Sequence, residues 1–327
     1  MRTVPTETAA VELHTRFVPV LERAAALNKV VDLQDLLERY SFDNICKVAF
    51  NFDPGCLAGD GTFGSEFMKA FEEAAMLSFG RFMYILPGLY KIKKLLNVGS
   101  ESKLQKSIAT VHKFADDIIQ SRITESTKEP KEDLLSRFMN ISEYSPEFLR
   151  DIVTSFILAG RDSTSSALTW FFWILSSHPE VKLKILEELK TLRLSKSDQN
   201  SYEFDDLRQM HYLHAAISEA MRLFPPVPVD TKACLKPDVP ERWLEEENGG
   251  GTVVYRPENP FKYPVFHGGA RVCLGKEMAY TQMKLVAATI MEVFEVELEV
   301  VEKKVPEHVL SLTMRMKDGL KVRVRKR

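Results

Sequence analysis

The chain has 327 residues, 45% hydrophobic and 28% charged, with a formal net charge of -2. That balance is ordinary for a globular protein and excludes bulk electrostatic attraction to nucleic acid or to an anionic membrane. No run of about 18 apolar residues is present to cross a bilayer, and Met1 to Ala10 lacks the basic and apolar regions of a signal peptide.

Helical periodicity dominates the first two thirds. Val11, Leu13, Phe17, Val18, Leu21 and Ala25 predict a helix over 11–26, with Pro19 as a place for it to kink. A second helix is expected over 33–50, stopped by Asn51-Phe52-Asp53-Pro54-Gly55, and others over 64–79 and 101–121. The polar stretch 124–132 is expected to be a loop. Ser145-Pro146-Glu147 then opens the longest element, with an N-cap serine, a first-turn proline and an acid at the positive helix end. It runs to about Ser177 and spans roughly 45 Å. From Leu168 it is apolar nearly all round (Trp170, Phe171, Phe172, Trp173, Ile174, Leu175), as in a helix that passes through a core. Helices are expected over 179–192, 201–207 and 210–224, the last stopped by Pro225-Pro226. Residues 227–265 are expected to be irregular and 275–293 helical. The last thirty residues are expected to form short strands, with Met316-Lys317-Asp318-Gly319-Leu320 as a hairpin turn. The alternating Lys321-Val322-Arg323-Val324-Arg325-Lys326-Arg327 makes a terminal strand with one solvated face. The fold class is mainly α in a single domain, 1–327. It comprises a helical region (8–224), a meander with a cysteine loop (225–275) and a C-terminal helix with strands (276–327).

Four cysteines, Cys46, Cys56, Cys234 and Cys273, form no disulfide framework and no C-x-x-C zinc pair. Cys273 stands apart, in Phe266-His267-Gly268-Gly269-Ala270-Arg271-Val272-Cys273-Leu274-Gly275. A buried cysteine is usually only a small hydrophobe, but these neighbours argue otherwise. Gly269 permits a tight turn or a close approach to a flat ligand. A helix that begins just after Cys273 aims its free N–H groups and positive end at the sulfur, which favours a thiolate. Arg271 adds a cation able to pair an anionic group such as a propionate, and Phe266 adds an apolar wall. Such a thiolate suits a haem iron as axial donor. A nucleophilic cysteine is less well supported: His267 lies six residues away on the same loop, and no residue is placed to orient it.

Phe266, Gly269, Arg271, Cys273 and Gly275 fill every fixed position of F-x-x-G-x-R-x-C-x-G, and the chain resembles the cytochrome P-450 family. Two further segments share that resemblance. Glu219 and Arg222, at i and i+3 on one helix face, are similar to the family's E-x-x-R pair, and Arg242 to its third partner; the resemblance gives these three a structural role. Ala159-Gly160-Arg161-Asp162-Ser163-Thr164 resembles the family's A-G-x-D-T-T groove over the haem. This implies that Ala159 and Gly160 lie against the cofactor and that Asp162, Ser163 and Thr164 deliver protons during oxygen activation. Serine replaces the commoner threonine at 163.

The stretches 156–162, 168–173 and 271–279 resemble the plant fatty-acid ω-hydroxylase clan, and family 94 in particular. The resemblance implies haem as cofactor with Cys273 as the ligand of its iron, and electrons from NADPH through a reductase. It also implies a small lipophilic substrate, either a fatty acid or a jasmonoyl–amino-acid conjugate, and residence on the endoplasmic reticulum membrane. Two departures follow from the same comparison. The chain begins inside the family's plan, so the membrane anchor is expected to be missing and a cytosolic location is then open. Only 19 residues separate Arg222 from Arg242, where relatives carry several tens, with the join near Ala233-Cys234-Leu235-Lys236-Pro237. Lost strands would leave backbone groups unpaired, so weak haem retention, or a catalytically inactive remnant, is the alternative expectation.

Overall fold

The computed structural model describes residues 4–57, 62–84, 88–126, 133–139, 145–194, 202–228, 244–246, 253–257, 259, 262–299, 304–309 and 311–327. Helix α1 (Val4–Glu12) passes through a π turn (Leu13–Phe17) into α2 (Val18–Ala26). Pro19 thus falls in the first turn of α2, after the irregular turn rather than inside a regular helix, where its missing N–H is tolerated. After the short strand β1 (Val31–Asp32) come α3 (Leu33–Phe50), α4 (Thr62–Gly80), α5 (Leu89–Leu96) and α6 (Ser100–Ser126). Helix α3 stops at Asn51, whose left-handed backbone lets its own N–H reach the Lys47 carbonyl and the Phe52 N–H reach the Cys46 carbonyl, a common helix ending. Helix α6 carries through to Ser126, so the loop expected over 124–132 does not begin at 124; residues 127–132 lie outside the described residues.

Next come α7 (Leu134–Met139), α8 (Pro146–Ile157), a second π turn (Leu158–Asp162) and α9 (Ser163–Ser176). The Ser145 hydroxyl accepts the Phe148 N–H at 3.2 Å and Pro146 takes the first helical position, as the sequence predicts. The long central helix is therefore one rod with a π turn in its middle. Helices α10 (Pro179–Leu194), α11 (Phe204–Gln209) and α12 (His211–Leu223) follow. Strands β2 (Leu244–Glu246) and β3 (Val253–Tyr255) form an antiparallel ribbon inside the stretch expected to be irregular. Helix α13 (Lys276–Val293) leads into β4 (Phe294–Leu298), and β5 (His308–Val309), β6 (Arg315–Met316) and β7 (Lys321–Lys326) close the chain.

The 316–320 turn corrects the sequence reading. Strand β6 pairs with β5, whereas β7 pairs with β1 and β4 in the order β1-β7-β4. The turn therefore joins two sheets rather than two strands of one hairpin. The terminal strand does alternate as expected: Val322 and Val324 are buried while Lys321 and Arg325 face out.

Two apolar clusters share α3. On one side Leu37 and Tyr40 pack with Leu13, Phe17, Trp170, Phe171, Leu213, Val286 and Ile290. On the other, Phe42, Ile45 and Cys46 pack with Phe67, Phe114, Ile118, Val153 and Ile157. Gln34, Glu38, Ser41, Asp43 and Asn44 are buried as well, so α3, like α9, runs through the interior.

Asp32 ties this central helix to the C-terminal sheet. Its Oδ1 accepts the N–H groups of Gln34 (3.0 Å), Asp35 (3.3 Å) and Leu320 (3.0 Å), and its Oδ2 accepts Lys321 Nζ at 2.8 Å. Asp32→Ala removes an N-cap and a bridge between elements together, so we expect a loss of about 2 kcal/mol in denaturant unfolding; a change below about 0.5 kcal/mol would contradict that role.

Candidate functional site

The cysteine loop is shaped by three backbone hydrogen bonds. His267 N–H reaches Pro264 O at 2.9 Å, Val272 N–H reaches Gly269 O at 3.1 Å, and Cys273 N–H reaches Phe266 O at 2.8 Å. Gly269 sits at φ +64°, the left-handed region that glycine enters without penalty. Cys273 is exposed. Its sulfur lies 3.8 Å from where a Cβ on Gly275, the residue that opens α13, would stand. The sulfur thus lies close to the start of an 18-residue helix, the positive end of its dipole. Among the described cysteines, Cys46 and Cys56 are buried, and burial raises both of their thiols well above the ordinary value. Arg271 is exposed and Phe266 half-buried, with the Lys276 ammonium 6.0 Å from its ring centroid.

The second part of the site is the π turn of the central rod. A Cβ on Gly160 would stand 2.5 Å from Ile45 Cγ1, which is closer than any side chain can be accommodated without movement. A larger residue there would have to displace the Ile45 side chain of α3, so glycine suits the close crossing. The turn leaves Ala159 exposed and Ser163 half-exposed on one side, while Thr164 on the other side is buried. Ser163 Oγ donates to Ala159 O at 2.6 Å, the back-bond that bends helices. Met278 of α13 packs against the same apolar cluster as Phe156 and Leu158.

Asp162 points into a charged chain that the sequence reading did not find. Its Oδ1 lies 2.9 Å from Arg161 Nη1. Arg161 Nη2 reaches Glu38 Oε2 at 3.5 Å, Glu38 Oε1 accepts Arg315 Nε at 2.7 Å, and Arg315 also pairs with Glu72. These groups line a cavity of ≈ 30 Å³ with Gln34, Ser165, Ser166 and Thr313, room for about two waters. Burial pushes the Asp162 carboxyl up to about 6; Arg161 pulls it back and Glu38 adds to the rise. Glu38 and Arg315 are 277 residues apart, so no local pattern links them, and Glu38 does not stand out on a helix that also carries Gln34, Asp35, Arg39, Asp43, Asn44 and Lys47.

Glu219 and Arg222 form a two-pronged ion pair on α12, Nε to Oε2 at 2.8 Å and Nη2 to Oε1 at 2.7 Å, with Glu219 buried. Arg242 lies outside the described residues.

The donor set fits a haem iron. One exposed sulfur, that of Cys273, stands at a helix start. The exposed side of the π turn carries the small residues Ala159 and Ser163.

The cytochrome P-450 family profile matches residues 5–239 and 239–322, and the chain belongs to that family. Its members are haem-dependent monooxygenases, oxidoreductases that take electrons from a reductase. The relatives narrow this further. Cytochrome P-450 CYP94D108 of Paris polyphylla is 42% identical over 365 aligned residues, covering 100% of this chain and 72% of the relative. Cytochrome P-450 94A1 of Vicia sativa is 38% identical, covering 97% and 68%. Cytochrome P-450 94C1 of Arabidopsis thaliana is 42% identical, covering 88% and 64%. The chain is thus similar to family 94 along nearly all its length. The two profile matches meet at Val239, inside the interval between Arg222 and Arg242 that the sequence makes short. No helix among the described residues is long and apolar enough to cross a membrane.

The raised Asp162 value has a defined consequence for stability. The folded protein holds this proton more tightly than the unfolded chain, so the contribution is full below the unfolded carboxylate value near 4 and is lost as pH rises through about 6. Wild type should therefore gain stability relative to Asp162→Asn as pH falls from about 7 to about 4. Denaturant midpoints across that range measure it, and parallel curves for the two proteins would contradict it.

Proposed function

We propose that this chain is a haem-thiolate monooxygenase of the family 94 type that hydroxylates a fatty acid near its chain end, with NADPH-derived electrons supplied by a reductase at the endoplasmic reticulum membrane. The observation that carries the haem-thiolate part is Cys273: an exposed sulfur at the start of α13, held by its own N–H on Phe266 O. The fatty-acid substrate is supported by the resemblance of residues 156–162, 168–173 and 271–279 to plant ω-hydroxylases.

In this reading Cys273 would hold the haem iron through its sulfur, at the positive end of α13. Gly269 and Gly275 keep the loop low against a flat ring, Phe266 shields the sulfur side, and the Arg271 guanidinium is available to a propionate. Ala159, exposed on the π turn, would present a wall without bulk to the haem, and Gly160 beside it lets the turn close on Ile45 of α3. When bound, the haem supplies the oxygen activation that the protein's own groups cannot perform. The residues' part is proton supply and pose. Asp162 holds or releases a proton near neutral pH, because burial and Arg161 oppose each other at its carboxyl. Ser163 Oγ, already donating to Ala159 O, keeps lone pairs to accept a proton on the open side, and Thr164 is the adjacent hydroxyl. Glu219, Arg222 and Arg242 serve as scaffold.

A second reading, a chain that keeps the ligand loop but turns over no substrate, is favoured by one observation. The alignment to CYP94D108 runs 365 positions against 327 residues here, and the profile match breaks at residue 239.

The experiment is haemin reconstitution followed by reduction and carbon monoxide. A thiolate-ligated Soret band is expected in the wild type and should vanish in Cys273→Ala; a band that survives the substitution would refute the ligand assignment. Turnover with NADPH and a plant reductase then separates the substrates. Hydroxylated fatty acid supports the proposal, hydroxylated jasmonoyl conjugate redirects it, and a thiolate band without product supports the second reading.

A further inference from the structure

We propose that His214 is a positioning residue for Cys273, acting through a column of four aromatic rings; this rests on Cys273 being the haem ligand. The imidazole of His214 on α12 lies between two tyrosines. Its centroid is 3.8 Å from the Tyr255 ring on β3, with planes 30° apart, and 3.9 Å from the Tyr280 ring on α13, with planes 25° apart. Tyr280 in turn meets Phe266 at 5.2 Å. The column therefore starts on the β2–β3 ribbon, crosses α12 and α13, and ends on the residue whose carbonyl receives the Cys273 N–H at 2.8 Å.

Hydrogen bonds fix the column's edges. Ser218 Oγ and Tyr280 OH lie 2.8 Å apart, Tyr263 OH donates to Ser218 O at 2.9 Å, and the Tyr255 N–H donates to His211 Nδ1 at 3.2 Å. Ser218 stands next to Glu219, so the helix that carries the Glu219–Arg222 pair also carries the column. Two features mark His214 as more than filler. Among the described residues its Nε2 is buried with no hydrogen-bond partner, a penalty that a plain apolar side chain would avoid. Burial also drives its pKa well below the usual value, with Lys284, Lys276 and His211 adding to the drop, so the ring stays neutral. A neutral flat ring with both faces covered is suited to stacking and transmits the position of α12 to Phe266. Loss of the ring leaves Tyr280 free to tilt into the gap, and Phe266 with it. The carbonyl that orients Cys273 is then no longer held.

The test uses the full chain without haem, so that it is independent of the ligand assignment. Hydrogen exchange of the 266–275 peptide reports the His267, Val272 and Cys273 amides together. His214→Ala and Tyr280→Leu should each speed that exchange about tenfold or more, while peptides of the β4–β7 pair change far less. His214→Phe, which keeps a ring in the stack, should restore the slow rate. Leu37→Ala, a truncation in the main apolar cluster that leaves the four rings in place, should lower the melting temperature without selectively speeding the loop. Unchanged loop exchange in His214→Ala, or an equal selective rise in Leu37→Ala, overturns the positioning role. The same variants reconstituted with haemin then read the ligand. The thiolate-ligated share of the carbon monoxide complex should fall in His214→Ala and return in His214→Phe. A wild type without any thiolate band defeats the ligand reading, while the exchange data still decide the column.

Discussion

Helix α3 and the central rod cross so closely at Gly160 that a larger residue would have to displace the Ile45 side chain, since a Cβ there would stand 2.5 Å from it. Packed interiors do not yield to such an overlap at low cost. The crossing coincides with the π turn at Leu158–Asp162, an irregularity often found at functional sites. Much of the site is arranged around that contact. The turn places Ala159 and Ser163 on the open side and brings Arg161 and Asp162 to the charged residues of α3 and β6. The rod also forms one wall of the cluster into which the first turn of α13 docks through Met278.

The charged chain Asp162–Arg161–Glu38–Arg315–Glu72 extends from the rod to α4. Buried ion pairs are weak sources of stability, because desolvation offsets their attraction. Their persistence here fits a role in setting the proton affinity of Asp162 rather than in holding the fold together. The fold is held instead by the two apolar clusters on α3 and by the Asp32 bridge to the terminal sheet.

The chemistry was legible where it is local. Five fixed positions between Phe266 and Gly275 lie in ten consecutive residues, and the N-cap at Ser145 and the stop at Asn51 each rest on a few neighbours. Non-local features were not legible. Periodicity showed α9 as a core helix but not α3, whose buried Gln34, Glu38, Asp43 and Asn44 look like a solvated face in sequence. The π turns leave no composition signal. The 316–320 turn has the residues of a hairpin, yet β7 is drawn to β1 and β4 because Val322 and Val324 find the apolar cluster there. Glu38 meets Arg315, and His214 meets Tyr255 and Tyr280, only through tertiary packing.

The central claim is that Cys273, presented at the start of α13, is the axial ligand of a haem iron in this chain. X-ray absorption at the iron edge of the haemin-reconstituted chain tests it most directly. The account predicts one sulfur scatterer at bonding distance beside the four porphyrin nitrogens. A spectrum that requires only nitrogen or oxygen ligands, with His267 or water in the sulfur's place, would contradict it.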